Sequence, residues 1–216
     1  GNFGHAAIAA GEKAGAAIIA GEAALGFGAG LATIVETEKG AASRFKLPSD
    51  LMVAKSFPQN TTAILVGSGF GRDRTDAFQS VCAYIEAHKG AGIVLDADSF
   101  YYGDIVNLLD ALDKRRTRVV LTPHPKEFQS LLKLCSLGDY TIAEIADDRI
   151  EIVKKFSARF SHIVLVLKGA NTVIASERGV FVSVEGNQSL AKAGSGDVLA
   201  GLVCALLAQQ YDAEDA

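Results

Sequence analysis

The feature that most constrains this fold is an alternation along the chain. Short, wholly apolar runs recur between longer stretches with helical spacing. A parallel strand needs a crossover, usually helical, before the next strand, and those helices cover both sheet faces, so such strands carry continuous rather than alternating apolar residues. Strands are therefore predicted at Ala6–Ala10, Ala32–Val35, Ala63–Val66, Gly92–Leu95, Arg118–Leu121 and Ile163–Leu167. Thr172–Ala175 and Val180–Ser183, separated by Ser176-Glu177-Arg178-Gly179, read as a hairpin. Helices are predicted at Lys13–Leu25, Arg74–Ala87, Asp104–Asp113, Lys126–Leu134, Asp147–Phe160 and Val198–Gln209, with Asp73 as the N-cap of the second. The fold class that follows is α/β, a three-layer α/β/α arrangement with a mostly parallel central sheet and helices on both faces.

A single domain is expected over residues 1–216, since no Pro/Ser-rich linker or charge block divides the chain. The last helix runs to the chain's end without a closing strand, and the chain opens on Gly1 rather than Met; truncation at both ends is expected. A net charge of −4 without a basic stripe gives nucleic acid no footprint. Three widely spaced cysteines, Cys82, Cys135 and Cys204, fit reduced thiols in a cytoplasmic protein, and no Cys/His set has zinc spacing. Ala14–Val35 is nearly long and apolar enough to span a bilayer. Glu22 in its middle and the turn Gly26-Phe27-Gly28-Ala29-Gly30 argue instead for a buried helix passing into a strand, and no membrane partner is expected.

Ligands of open parallel sheets bind beyond the carboxyl ends of the strands. The unusual residues fall there: Gly67-Ser68-Gly69-Phe70-Gly71, Asp96-Ala97-Asp98, Thr122-Pro123-His124-Pro125-Lys126-Glu127, and Lys168-Gly169-Ala170-Asn171-Thr172. The most informative run is Gly194-Ser195-Gly196-Asp197 ahead of an apolar helix. Glycines there leave backbone N–H groups open, and the helix dipole favours an anion such as phosphate. Asp197 would sit beside that anion, placed to take a proton from an attacking hydroxyl. The plain alternative, a flexible turn with an ordinary first-turn acid, leaves the paired glycines unexplained. Gly67–Gly71 lacks the Walker lysine and the full dinucleotide fingerprint. Asp96 and Asp98 either hold a divalent metal through water, orient substrate, or cap the next helix. His124, stiffened by two prolines, is a candidate ligand contact, and Glu127 either complements the helix dipole or coordinates hydrated Mg²⁺.

These strings, in this order, resemble the NAD(P)H-hydrate dehydratases, repair enzymes of the ribokinase-like superfamily. The likeness runs over nearly all of the chain: Gly1-Asn2-Phe3-Gly4-His5, Gly15-Ala16, Gly26–Leu31, Gly67–Gly71, Leu95-Asp96-Ala97-Asp98, Thr122–Phe128, Lys168–Thr172, Gly186-Asn187 and Gly194–Gly201. The resemblance implies a ribokinase-like fold and a hydrated nicotinamide nucleotide, NADHX or NADPHX, contacted by Ala16, Gly71, His124 and Asp197. It implies an adenine nucleotide contacted by Lys168, Gly169, Ala170, Asn171, Thr172 and Gly196. Asp197 would be the catalytic base, ADP (or ATP) the phosphoryl donor, and the assembly a homo-oligomer, a tetramer by resemblance. The family also occurs fused to an epimerase domain ahead of this one. The chain departs from the family pattern at Glu12, where serine is usual, at Ser68, where proline is common, and at Lys192. The competing readings are a ribokinase-like kinase for a vitamin or sugar hydroxyl, and a non-catalytic nucleotide sensor.

Overall fold

The structure, a computed structural model, describes residues 2–37 and 40–216; Gly1 of the opening motif lies outside them. Nine strands form one sheet in the order β3-β2-β1-β4-β5-β6-β7-β8-β9. They are β1 (His5–Ala10), β2 (Leu31–Glu36), β3 (Met52–Ala54), β4 (Ala63–Val66), β5 (Gly92–Leu95), β6 (Val119–Leu121), β7 (Ile163–Leu167), β8 (Thr172–Ser176) and β9 (Gly179–Ser183). Pairing is parallel from β3 through β7 and antiparallel from β7 to β9, so the predicted hairpin closes one edge. The predicted central strands form because their residues have nowhere polar to point: β1, β4, β5 and β6 are buried at every position.

Successive strand residues divide between two cores. Ala6, Ile8, Ala10, Leu65 and Val94 face α1 (Ala14–Gly26) and α7 (Ser195–Ala208). Ala9, Ile64, Val66, Ile93 and Leu121 face α2 (Thr75–Ala87), α3 (Ile105–Lys114), α4 (Pro125–Leu134), α5 (Ile142–Asp147) and α6 (Arg149–Arg159). The alanine-rich sequence of α1 lets α7 approach closely; a Cβ on Gly201 would stand 2.3 Å from the Ala20 carbonyl oxygen. That contact holds the amino end of α7, and Asp197 with it, over the sheet edge.

Several expectations need correction. Asp73 does not cap α2: Arg74 occupies the cap, and no side chain bonds the helix there. The helix expected over Asp147–Phe160 is α6, Arg149–Arg159, and the short α5 ahead of it, ending at Asp147, was not foreseen. The strand β3 and the 3-10 turn Ala97–Tyr101 were not foreseen. The segment Ala14–Val35 is a helix, a turn and most of β2, and among the described residues no helix is long and apolar enough to cross a membrane. The three cysteines are unpaired and buried, and burial pushes the Cys82, Cys135 and Cys204 thiols up to about 12, 11 and 12, so they are poor nucleophiles.

Candidate active site

The chain runs from β1 outward through β2 and β3, then returns to lay β4 on the other side of β1. Loops leaving β1 and β4 therefore part at a topological switch point, where open sheets form their crevice. The two loops are tied below it: Glu12 N–H donates to the Phe70 carbonyl at 3.2 Å and Lys13 N–H to that of Gly69 at 2.8 Å. Gly67, at φ +118°, turns the chain out of β4 so closely that a Cβ would stand 1.7 Å from the Asp96 carbonyl oxygen; only glycine serves there.

On one side of the crevice lie Ala16, in the first turn of α1, and Gly71. The Cβ of Ala16 would be 3.0 Å from a Cβ on Gly69, and the Glu12 carboxylate lies 3.0 Å from one on Gly71. Gly71 N–H donates to Asp98 at 2.9 Å, Asp98 also pairs with Arg72 at 3.3 Å, and the Tyr102 hydroxyl donates to the Gly71 carbonyl. Asp98 thus anchors the glycine loop.

On the other side the charged groups converge. Asp96, almost wholly buried, accepts from Thr122 Oγ1 at 2.8 Å, Ser68 Oγ at 3.3 Å and Lys168 Nζ at 2.9 Å. Its side chain caps nothing, so the capping alternative falls away. Lys168 Nζ also lies 3.8 Å from Glu127 Oε2, and a Cβ on Gly196 would be 3.4 Å from it. The ammonium is therefore seated beneath the amino end of α7. That helix begins at Ser195, three residues before the expected Val198, behind Gly194 at φ +88°, so Asp197 falls in its first turn. Burial, then the charge of Asp96, raises the Asp197 pKa; the nearby Ser68 hydroxyl, whose one hydrogen Asp96 also claims, and the charge of Lys168 oppose the rise. A half-buried carboxylate tuned this way suits proton abstraction.

His124 proves to be a helix cap. Its Nδ1 accepts from the N–H groups of Lys126 and Glu127, at 3.1 and 3.3 Å, so the ring hydrogen is on Nε2, which faces Glu127 Oε1 at 3.0 Å. Glu127 returns the bond by accepting from the His124 N–H at 2.7 Å, and Pro125 supplies the fixed first turn. Burial would raise the Glu127 pKa, but the bonds to His124 and the charge of Lys168 outweigh it and the pKa is lowered. Nearly half of the His124 ring stays exposed and open to a ligand. Among the described residues no three His, Cys, Asp or Glu side chains form a metal-holding group.

Asn171 and Thr172 lie beyond Gly169 and Ala170 on the turn into β8, with Thr172 Oγ1 donating to the Gly169 carbonyl at 3.3 Å. Lys192 is exposed, its carbonyl accepting from Ser195 Oγ. Sequence reasoning missed the part played by Ser68, standing between Asp96 and Asp197, and by Thr122. Both are ordinary hydroxyl residues whose partners are distant in the chain. Two surface depressions, of about 420 and 300 Å³, share Arg116, Thr117 and Arg118 at the opposite end of the sheet, away from all of these groups. The chemistry, not concavity, locates the site.

The comparisons with known proteins agree on one family. The family model described as NAD(P)H-hydrate dehydratase matches residues 6–216. The bifunctional NAD(P)H-hydrate repair enzyme Nnr of Helicobacter pylori is 40% identical over 216 residues, covering all of this chain and 43% of its own length. The chain spans less than half the length of the curated relatives it matches first. Among solved structures, the ADP/ATP-dependent NAD(P)H-hydrate dehydratase of Bacillus subtilis, co-crystallised with ATP and Mg²⁺, superposes with a TM-score of 0.74 at 27% identity, over 99% of this chain and 77% of that one. A ribokinase-like superfamily protein of Enterococcus faecalis gives 0.72 at 24% identity over 96% of this chain and 72% of that one, a likeness of fold.

Proposed function

We infer that this chain, which belongs to the NAD(P)H-hydrate dehydratase family and has its ribokinase-like α/β fold, repairs hydrated NADH or NADPH at the expense of a nucleotide's terminal phosphoryl group. The observation that carries the reading is the meeting of Asp197, the amino end of α7 and the Lys168 ammonium at one point of the sheet edge. Asp197 takes the proton of the hydroxyl on the hydrated ring, and that oxygen attacks the β-phosphorus of ADP, releasing AMP. Phosphate leaves the ring more readily than hydroxide. The ring nitrogen's lone pair expels it, and loss of the neighbouring ring proton restores the dihydronicotinamide.

In this reading the hydrated dinucleotide lies along Ala16, Gly71, His124 and Asp197, and the adenine nucleotide along Lys168–Thr172 and Gly196. Open N–H groups of the α7 amino end receive the transferring phosphoryl group, and Lys168 offsets the negative charge gathering there. Mg²⁺ would neutralise the nucleotide's phosphates; Glu127, whose oxygens each keep a lone pair beyond the His124 bonds, would hold it through water. ADP is the preferred donor, the compartment cytoplasmic, and the assembly a homo-oligomer whose remaining partners are small molecules. The test is NADH formation from hydrated NADH with ADP and Mg²⁺, and then with ATP. No turnover with either donor, by a folded protein, would overturn the proposal.

A further inference from the structure

The turn after β7 is held from outside the site described above. Arg149, the first residue of α6, directs Nη2 at two consecutive carbonyls, Leu167 and Lys168, each at 3.2 Å. The same turn is fixed on its other side, where the Lys168 N–H donates to the Pro123 carbonyl at 2.9 Å, and the Gly169 carbonyl accepts from Thr172 Oγ1. Three successive carbonyls are thus engaged. Among the described residues, no protein atom accepts from the Gly169 or Ala170 N–H. The guanidinium also occupies the space a side chain at 169 would need: a Cβ there would lie 2.7 Å from Nη2 and 2.9 Å from Nη1. Glycine at 169 and arginine at 149 are therefore one arrangement, although 20 positions apart.

We propose that Arg149 is a positioning residue for the nucleotide site, its guanidinium holding the Leu167 and Lys168 carbonyls toward α6 so that the Gly169 and Ala170 N–H groups that follow stay open to the nucleotide's anionic groups. The proposal rests on the nucleotide reading of this turn. Lysine at 149 is a poor substitute, because one ammonium on a flexible stem does not hold two carbonyls in a fixed plane. Alanine at 169 pushes the guanidinium, the free end of a long side chain, off its acceptors, and so reproduces loss of Arg149 without touching it.

Titration calorimetry with ADP, and steady-state kinetics with both substrates, test this on four variants: Arg149→Ala, Arg149→Lys, Gly169→Ala and the Arg149→Ala/Gly169→Ala pair. Arg149→Ala weakens ADP binding and raises its KM about tenfold, the low end of what a charge-assisted hydrogen bond contributes. The KM for the hydrated dinucleotide stays within about twofold, a split that general loss of stability does not produce. Arg149→Lys recovers part of the loss. Gly169→Ala matches Arg149→Ala, and the double variant is no worse than either, the non-additivity of two changes acting on one contact. ADP affinity within about twofold of the parent in Arg149→Ala, or additive losses in the pair, would overturn the proposal. If the parent protein binds no adenine nucleotide, the nucleotide reading falls. Arg149 is then judged by hydrogen exchange at the Lys168 amide, where faster exchange in Arg149→Lys and Arg149→Ala upholds its hold on the turn and unchanged exchange refutes it.

Discussion

Replacing Lys168 with Met removes an ammonium while keeping most of the stem's volume, and the structure sets the size of the effect. Nζ stands 2.9 Å from Asp96 Oδ1 and 3.8 Å from Glu127 Oε2, with the lysine side chain one-fifth exposed and Asp96 almost wholly buried. At an effective dielectric of ~20 those separations correspond to gross attractions of about 6 and 4 kcal/mol. Desolvating three charges offsets most of this, so the pair's net contribution is small. Losing one partner is different, because it leaves Asp96 buried without a counter-charge, a change that costs about 3–5 kcal/mol. Asp96 keeps its bonds from Thr122 and Ser68, which favours the low end, about 3 kcal/mol. For a chain of this size that lowers the Tm by roughly 6–12 °C. Thermal and urea denaturation at pH 7 measure it, with Asp96→Asn/Lys168→Met alongside. The double variant removes the Asp96 charge as well, leaving Glu127 with its bonds from His124, and should regain more than half of the loss. A drop under about 1 kcal/mol in Lys168→Met, or a double variant less stable than the single, would refute the counter-ion argument. The same variant should bind ADP about tenfold more weakly or worse, with a larger deficit at low ionic strength.

Asp197→Asn should lower kcat by about 10²–10⁴-fold while leaving ADP affinity nearly intact, since the change is isosteric and removes only the proton acceptor; rates within tenfold of the parent would dismiss the base. The Asp197 pKa is raised in the free protein and its ionised form is the active one, so kcat/KM should fall as the pH is lowered, beginning above the ordinary aspartate range. Ser68→Ala removes a hydroxyl that lowers that pKa and should move this acid limb to higher pH, whereas an unmoved limb would disconnect Ser68 from the base. His124→Ala should raise the KM for the hydrated dinucleotide more than that for ADP. It should also cost about 1 kcal/mol of stability through the lost α4 cap, so an effect on ADP alone would exchange the two subsites.

The fold was legible wherever burial was complete. Ala63–Val66, Gly92–Leu95 and Ile163–Leu167 match their expected bounds because strands covered on both faces admit only apolar residues. Met52–Ala54 escaped because an exposed three-residue edge strand carries no such run, and α5 because six residues hold less than two turns of periodicity. The site divides differently. Which residues gather at the sheet edge follows from strand ends and glycines, so Asp197, Lys168 and His124 could be named. What each does follows from partners brought together by topology: Lys168 meets Asp96 across 72 positions, and Ser68 meets it across 28. Two prolines around His124 pointed to a rigid ligand contact, yet the rigidity is that of a helix start, with Pro125 at its first position and the Pro123 carbonyl fixing Lys168.

That pairing leaves a charge imbalance with a testable consequence. Asp96, Glu127 and Asp197 face one ammonium, so among the described residues the transfer point holds three carboxylates against a single cation before any phosphate arrives. The α7 amino end adds about half a positive charge, which does not close the gap. A nucleotide diphosphate entering alone meets net repulsion; one carrying a divalent cation meets much less, and the cation's water shell can bond to Glu127 without displacing the His124 contacts. ADP affinity should therefore rise at least tenfold between chelated buffer and millimolar Mg²⁺, and Glu127→Gln should reduce that gain while leaving magnesium-free binding equal or tighter. Titrations of both proteins with and without Mg²⁺ decide it. Equal ADP affinity in the two buffers would mean that Lys168 and the helix end balance the phosphates unaided.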